Sequence, residues 1–343
     1  MKKFLTGLAL LAATATAMAQ SNVTVYGTAD AGVAYSTADR TDGVNKKAGV
    51  QGGMLQFNKI GFKGTEALGD GLKAIFQIEM GYDLGQGTGL NTARESFVGL
   101  GGSFGTVKLG RLETLDSQAA ANFDALSASA FSPLGTAIGR ETFSNSTVAY
   151  ETKLGDVQLG AQYAFDGSSA SANTTFGNGT PQERAASVSA VYGRGPLEVG
   201  YVYSNISNYG RVSADDRRIH VLGTSYDFQV AKVYGAYVNA KSDLANTLDA
   251  QVYALGVKVP VAKATVIDTS IAHVSDDVSN GHANIFGVQA VHSLSKRTAA
   301  YAGYQYVRNN GTQYAALNTN GVASQGTNGL NSSGLGVGLR HNF

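Results

Sequence analysis

The chain has 343 residues, with 26 Lys and Arg against 25 Asp and Glu, no cysteine, 44 glycines and only 4 prolines. The balanced charge gives no support to nucleic-acid binding, and the missing cysteines exclude disulfides and thiolate zinc sites. Beyond the first 19 residues no apolar run reaches the ~18 residues that a membrane helix needs, which leaves a soluble protein or a β-barrel.

In chain order, residues 1–19 read as a secretory signal. Lys2 and Lys3 form the basic start, Phe4 to Ala15 the apolar stretch, and Ala17-Met18-Ala19 the small-x-small cleavage site before Gln20. Residues 20–343 then read as one barrel domain. Val23, Val25, Ala29, Ala31, Val33 and Tyr35 fall on one face of the first strand, and Thr24, Tyr26, Thr28 and Asp30 on the other. The same period of two recurs in sixteen segments, at 22–36, 55–65, 71–82, 93–101, 104–111, 145–153, 156–166 and 185–194. It continues at 196–205, 217–228, 229–241, 250–261, 264–275, 283–294, 296–308 and 333–343. Tight links such as Leu154-Gly155 and Arg194-Gly195 alternate with long stretches at 37–54, 112–144, 167–184, 206–216, 242–249, 276–282 and 309–332. Short turns at one rim and long loops at the other, with an even strand count, predict an all-β, 16-stranded antiparallel transmembrane barrel wide enough for an aqueous channel. A soluble sandwich or solenoid would need two-sided burial or a fixed repeat, and neither is visible. The mean hydropathy of −0.07 suits a barrel, because only alternate residues meet lipid.

No catalytic constellation stands out. The five histidines are scattered without metal-ligand spacing, no G-x-S-x-G elbow occurs, and the glycine-rich turns lack a following phosphate-binding helix, so neither enzyme activity, cofactor nor metal is expected. The polar residues that carry information are cations on the lumen face of the early strands, Lys59, Lys63, Lys73 and Arg94, with Arg111 closing the fifth strand. Neighbouring strands lie about 5 Å apart, so clustered cations need counter-charges or water. The longest stretch without strand pattern, 112–144, holds Glu113, Asp116, Asp124 and Glu141. Its Phe123, Leu126, Phe131, Leu134 and Ile138 are too apolar for a solvated loop, which predicts that it packs inside the barrel.

At this point the chain resembles the general diffusion porins of Gram-negative bacteria, in the branch found in Neisseria and other beta-proteobacteria. The resemblance rests on Val23-Thr24-Val25-Tyr26-Gly27, Ile60-Gly61-Phe62-Lys63-Gly64-Thr65-Glu66 and Phe104-Gly105-Thr106-Val107-Lys108-Leu109-Gly110-Arg111, and on the terminal Gly338-Leu339-Arg340-His341-Asn342-Phe343. It implies a homotrimer among outer-membrane lipid and lipopolysaccharide that passes small hydrophilic solutes and ions. It also implies a third long loop folded inward as a constriction. There the basic wall of Lys59, Lys73, Arg94 and Arg111 would face Glu113, Asp116 and Asp124 on the loop, and Phe343 would serve as an assembly signal. Relatives carry a basic residue where this chain has Ala149, a departure that weakens the cationic wall. Two other classes, a barrel enzyme and an adhesive barrel, would need a rim constellation or long loops with none packed inward.

Mass spectrometry of the mature protein should find Gln20 at its N-terminus; intact chains beginning at Met1 in outer membranes would refute the cleavage.

Overall fold

A computed structural model describes residues 22–40, 43–138, 142–166, 182–209, 215–243, 249–276, 281–310 and 330–343. The leader expected at 1–19 and parts of several long loops lie outside the described residues. The strands are β1 (Asn22–Arg40), β2 (Gly43–Gly52), β3 (Lys59–Gly69), β4 (Leu72–Asp83), β5 (Thr88–Gly102) and β6 (Gly105–Glu113). Two helices follow, α1 (Leu115–Asn122) and α2 (Pro133–Ile138). Next come β7 (Phe143–Leu154), β8 (Val157–Ala164), β9 (Arg184–Arg194), β10 (Leu197–Ser207), β11 (Arg217–Asp227) and β12 (Lys232–Ser242). The chain ends in β13 (Ala250–Ala262), β14 (Thr265–Asp276), β15 (Gly281–Ser293), β16 (Thr298–Asn310) and β17 (Ser332–Asn342).

These strands form one antiparallel sheet that closes by pairing β1 with β17. The wall has sixteen positions, because β2 and β3 share one of them. The upper half of β1 pairs with β2, from Ala31 opposite Gly52 to Arg40 opposite Gly43, and its lower half pairs with β3, from Asn22 opposite Thr65 to Thr28 opposite Lys59. This corrects the reading of 37–54 as a loop followed by a strand at 55–65. Paired lysines and glycines blur the alternation of 43–52, and the segment becomes a strand because it completes the ladder on the open edge of β1. Residues 53–58 leave the wall and fold inward. Asp30 holds them there: its carboxylate accepts from the Leu55 N–H at 2.9 Å, the Gln56 N–H at 2.7 Å and the Tyr301 hydroxyl at 2.5 Å, while Asn58 Oδ1 accepts from the Asp30 N–H at 2.5 Å.

The pleat sorts the residues. Large apolar side chains such as Leu255, Ile271 and Val337 point outward and expose more than half of their surface, whereas inward positions carry small residues such as Ala236, Ala254 and Ala272. Only a lipid surround makes this favourable, at roughly 25 cal/mol per Å² of apolar area kept from water. Every backbone donor in the hydrocarbon layer must find a partner in the protein, and closure supplies it. One rim carries links of two to four residues, including those at 155–156 and 195–196, where Gly155 and Gly195 take a φ of +59° that favours glycine. No helix among the described residues is long and apolar enough to cross a membrane; the strands cross it.

Phe343 completes the closing seam. Its N–H donates to the Gly27 carbonyl and its own carbonyl accepts from the Gly27 N–H, both at 3.1 Å. The phenyl ring lies over Gly27, where a Cβ would come within 2.4 Å of it. Deleting Phe343 removes both bonds, each contributing about 0.5–1.5 kcal/mol. The expected outcome is less barrel reaching the outer membrane, by immunoblot of membrane fractions, with near-normal conductance in the barrels that assemble; normal assembly of the deletion would show the terminus to be dispensable.

Candidate functional site

Residues 114–138, which follow β6, lie inside the barrel. Thr114 caps α1, its Oγ1 accepting from the Ser117 N–H at 3.3 Å, and α1 packs on β9–β11 while α2 packs on β13–β15. Inward-facing glycines make the seat. A Cβ at Gly223 would lie 2.1 Å from the Phe123 ring, one at Gly303 2.5 Å from the Phe131 ring, and one at Gly256 2.7 Å from Ala125. Phe123, Leu126, Phe131 and Leu134 are all buried in this groove. Polar contacts fix its depth: Ser129 Oγ donates to Gln289 at 2.7 Å, Gln305 Nε2 to the Ser132 carbonyl at 2.9 Å, and the Ala130 N–H to the Met54 carbonyl at 2.8 Å. The last bond ties the loop to the inward segment 53–58.

On the part of the wall that the loop leaves open, β3, β4 and β5 bring charges together around Glu79. Lys59 Nζ lies 3.0 Å from one carboxylate oxygen, Arg94 Nε 2.6 Å from the other, and the Tyr26 hydroxyl donates at 2.9 Å. A β-bulge explains how β5 contributes two consecutive side chains. Ile78 is opposite Ser96 and Met80 is opposite Ala93, so Arg94 and Glu95 share the single position across from Glu79. Glu95 accepts from Gln77 Nε2 at 2.8 Å and from the Glu113 N–H at 3.4 Å. Lys63 Nζ sits 5.0 Å from the Tyr26 ring centroid, and the Arg94 guanidinium 4.9 Å from that of Phe143. Lys59, Lys63 and Arg94 thus line one cavity of about 200 Å³ together with Glu79, Glu95 and Glu113.

The remaining expected site residues are placed elsewhere. Lys73 is on the lumen face but six residues down β4 from Glu79, about 20 Å toward the short-turn rim, beside Gly101. Arg111 does not line the cavity; it donates to the Ala93 carbonyl at 2.9 Å and to Asn145 Oδ1 at 2.5 Å, with its guanidinium 5.3 Å from the Phe143 ring. Asp116 is buried in the first turn of α1 and lines a separate cavity with Glu183 and Arg217. Asp124 is also buried, accepting from the Ala128 N–H at 2.9 Å and the Ser132 hydroxyl at 2.5 Å, so it shapes the loop's own turn. Neither aspartate lines the cavity around Glu79: α1 turns Asp116 toward β7–β11, and Asp124 is used within the loop's own turn. Glu113 alone of the three loop acids joins the cations. Glu79 and Glu95 were missed as their partners: alternation puts Glu79 on the polar face of β4, but without the bulge Glu95 and Arg94 would point to opposite faces. Ala149 is buried in the wall between Lys108 and Gln162.

A closed sixteen-position barrel with lipid-facing apolar residues, a polar lumen and a loop seated inside it defines an outer-membrane channel of the porin type. A sequence model described as Gram-negative porin matches residues 6–312, and the chain belongs to that family. It is 33% identical to outer membrane porin protein 32 of Delftia acidovorans and 29% identical to an outer membrane porin protein of Bordetella pertussis, over the whole of each chain. It is 44% identical to the major outer membrane protein P.IB of Neisseria gonorrhoeae over 36% of each. Among solved structures, an anion-selective porin from Comamonas acidovorans superposes with a TM-score of 0.81 at 30% identity, covering 94% of this chain and all of that one. The fold of OmpT (with a loop deletion) of Vibrio cholerae matches with a TM-score of 0.71 at 14% identity, covering 94% and 99%. The protein is an outer-membrane porin, a general diffusion channel for small hydrophilic solutes.

Gly303→Leu should force Phe131 out of its seat at a cost of about 1–3 kcal/mol. Single-channel recording should then show larger and noisier conductance than wild type; an unchanged, quiet level would mean that the loop does not set the aperture.

Proposed function

We propose that the constriction is charge-compensated, so that this porin discriminates solutes mainly by size and only weakly by ionic sign. The observation that carries the reading is the gathering of Lys59, Lys63 and Arg94 with Glu79, Glu95 and Glu113 around one cavity. In a narrow aperture charges are screened less than on open surface, where the Debye length is about 8 Å, so a balance of signs there matters. The Comamonas acidovorans porin is named anion-selective. In this chain Ala149 and the three glutamates favour a weaker bias. The role is passage, not turnover, with residues 1–19 removed on export.

The reading includes a homotrimer. Around the seam of β16, β17 and β1, small outward residues such as Ala29, Ala31, Ala300 and Ala302 leave a smooth wall for close subunit contact. Unheated samples should migrate as a compact oligomer and fall to the single-chain position after boiling; a monomer at all concentrations under gentle extraction would refute the assembly.

Planar-bilayer recording in a salt gradient tests the charge balance. Wild type should reverse close to zero, at a small fraction of the ideal Nernst value. Glu79→Gln should shift reversal toward anions, and Arg94→Ala or Lys59→Ala toward cations. Asp124→Asn should leave the sign alone and destabilise the loop by about 1–3 kcal/mol through its buried hydrogen bonds. Strong wild-type selectivity, or reversal unmoved by all three charge variants, would overturn the proposal.

A further inference from the structure

Two of the five histidines, His273 and His282, lack ligand spacing in sequence but are brought together by strand register. His273 is opposite Asn284 across β14 and β15, and Ser275 is opposite His282. All four side chains point outward, because the intervening Ala272, Val274, Ala283 and Ile285 are buried on the lumen side. The histidines occupy one diagonal of a square patch, and Ser275 and Asn284 the other. Their ring centroids are 5.9 Å apart and the ring planes are tilted by 33°.

An amide orients each ring. His273 Nδ1 lies 2.9 Å from Asn284 Oδ1, and His282 Nε2 lies 3.0 Å from Asn310 Nδ2 on β16. A ring nitrogen that faces a carbonyl oxygen carries the proton, which leaves the other nitrogen with its lone pair. For His273 the free donor is Nε2. Turning the Asn310 amide by half a turn exchanges its oxygen and nitrogen, and then His282 offers Nδ1 in the same way. Imidazoles that bind metals are held by such partners on their second nitrogen.

The spacing and the neighbours define the ion. Metal–nitrogen bonds of about 2.0–2.1 Å place two rings on a shared ion roughly 5–6 Å apart, centroid to centroid. Imidazole nitrogen suits copper, zinc and nickel, whereas calcium and magnesium take oxygen ligands. Among the described residues no carboxylate or third histidine joins the pair. Arg308, opposite Asn284 on β16, is exposed on the same face and disfavours a cation held by charge alone. His273 is level with Tyr253, a residue type that marks the edge of the hydrocarbon layer. His282 lies about 7 Å nearer the long-loop rim, where water reaches it.

We propose that His273 and His282 together bind one divalent transition-metal ion of the copper and zinc class on the outside of the barrel, with water completing its coordination. Asn284 and Asn310 are positioning residues that fix which nitrogen of each ring is free. The proposal concerns none of the residues that line the lumen and is independent of the selectivity they confer.

The test uses the full mature protein in detergent with Cu²⁺ as the probe, read by electron paramagnetic resonance and titration calorimetry. Wild type should bind one ion per chain with two equatorial nitrogens. His273→Ala and His282→Ala should each lose the two-nitrogen signature and the heat that accompanies it. Asn284→Ala should keep both nitrogens and bind roughly 10- to 100-fold more weakly. Removing His220 on β11 and His292 at the far end of β15 should leave the signature intact. Excess Zn²⁺ should displace the probe, and Ca²⁺ should not. Conductance of the same samples, expected to be unchanged, shows that a lost signature is not a lost fold. A wild-type spectrum with one nitrogen or none, the two-nitrogen spectrum persisting in either alanine variant, or displacement by Ca²⁺ would overturn the proposal.

Discussion

Inside a bilayer an unpaired backbone N–H or C=O costs several kcal/mol, so a sheet that crosses it must close on itself. Here the closing ladder runs between β1 and β17, from Ala38 opposite Ser332 to Thr28 opposite Asn342, and the terminal Phe343 continues it onto Gly27. Once the ring is closed, the pleat assigns each residue to lipid or lumen with no intermediate choice. The apolar outside, the small and polar inside and the water-filled interior all follow from that one requirement.

Closure also creates the space that the constriction loop fills. The loop is held by shape on one side and by hydrogen bonds on the other. Gly223, Gly256 and Gly303 leave room for Phe123, Ala125 and Phe131, and Gln289 and Gln305 satisfy polar groups that would otherwise be buried without partners. A second inward element, residues 53–58, braces the loop tip through Met54 and is itself held by Asp30. The narrowing is therefore preorganised, anchored to strands on both sides of the closing seam. Seated against β9–β17, it leaves the Glu79 cluster on β3–β5 facing the open part of the lumen.

That cluster joins the fold to function. Lys59 on β3 and Arg94 on β5 would repel one another, and Glu79 on the strand between them resolves this by accepting from both and from Tyr26. The same acid that stabilises the wall cancels part of the field a solute would meet. On the proposed reading, stability of this part of the wall and weakness of the ionic bias both trace to one side chain.

Period-two alternation determines from sequence alone that Lys59, Lys63, Lys73 and Glu79 face the lumen, because a strand residue has only two sides to choose from. The apolar content of 112–144 likewise requires burial, and the described residues there, Phe123, Leu126, Phe131 and Leu134 among them, are buried. Three things were decided only in three dimensions. The β1–β2 hairpin depends on a partner edge, since 43–52 has little pattern of its own. The position of Glu95 beside Arg94 depends on a bulge, which breaks the alternation that sequence reasoning relies on. The directions of Asp116 and Asp124 depend on a helix start and a turn, where no two-sided rule applies. Sequence periodicity specifies which side of a wall a residue takes; the height at which it meets its neighbours, and where a loop acid points, are set by register, bulges and packing between distant segments.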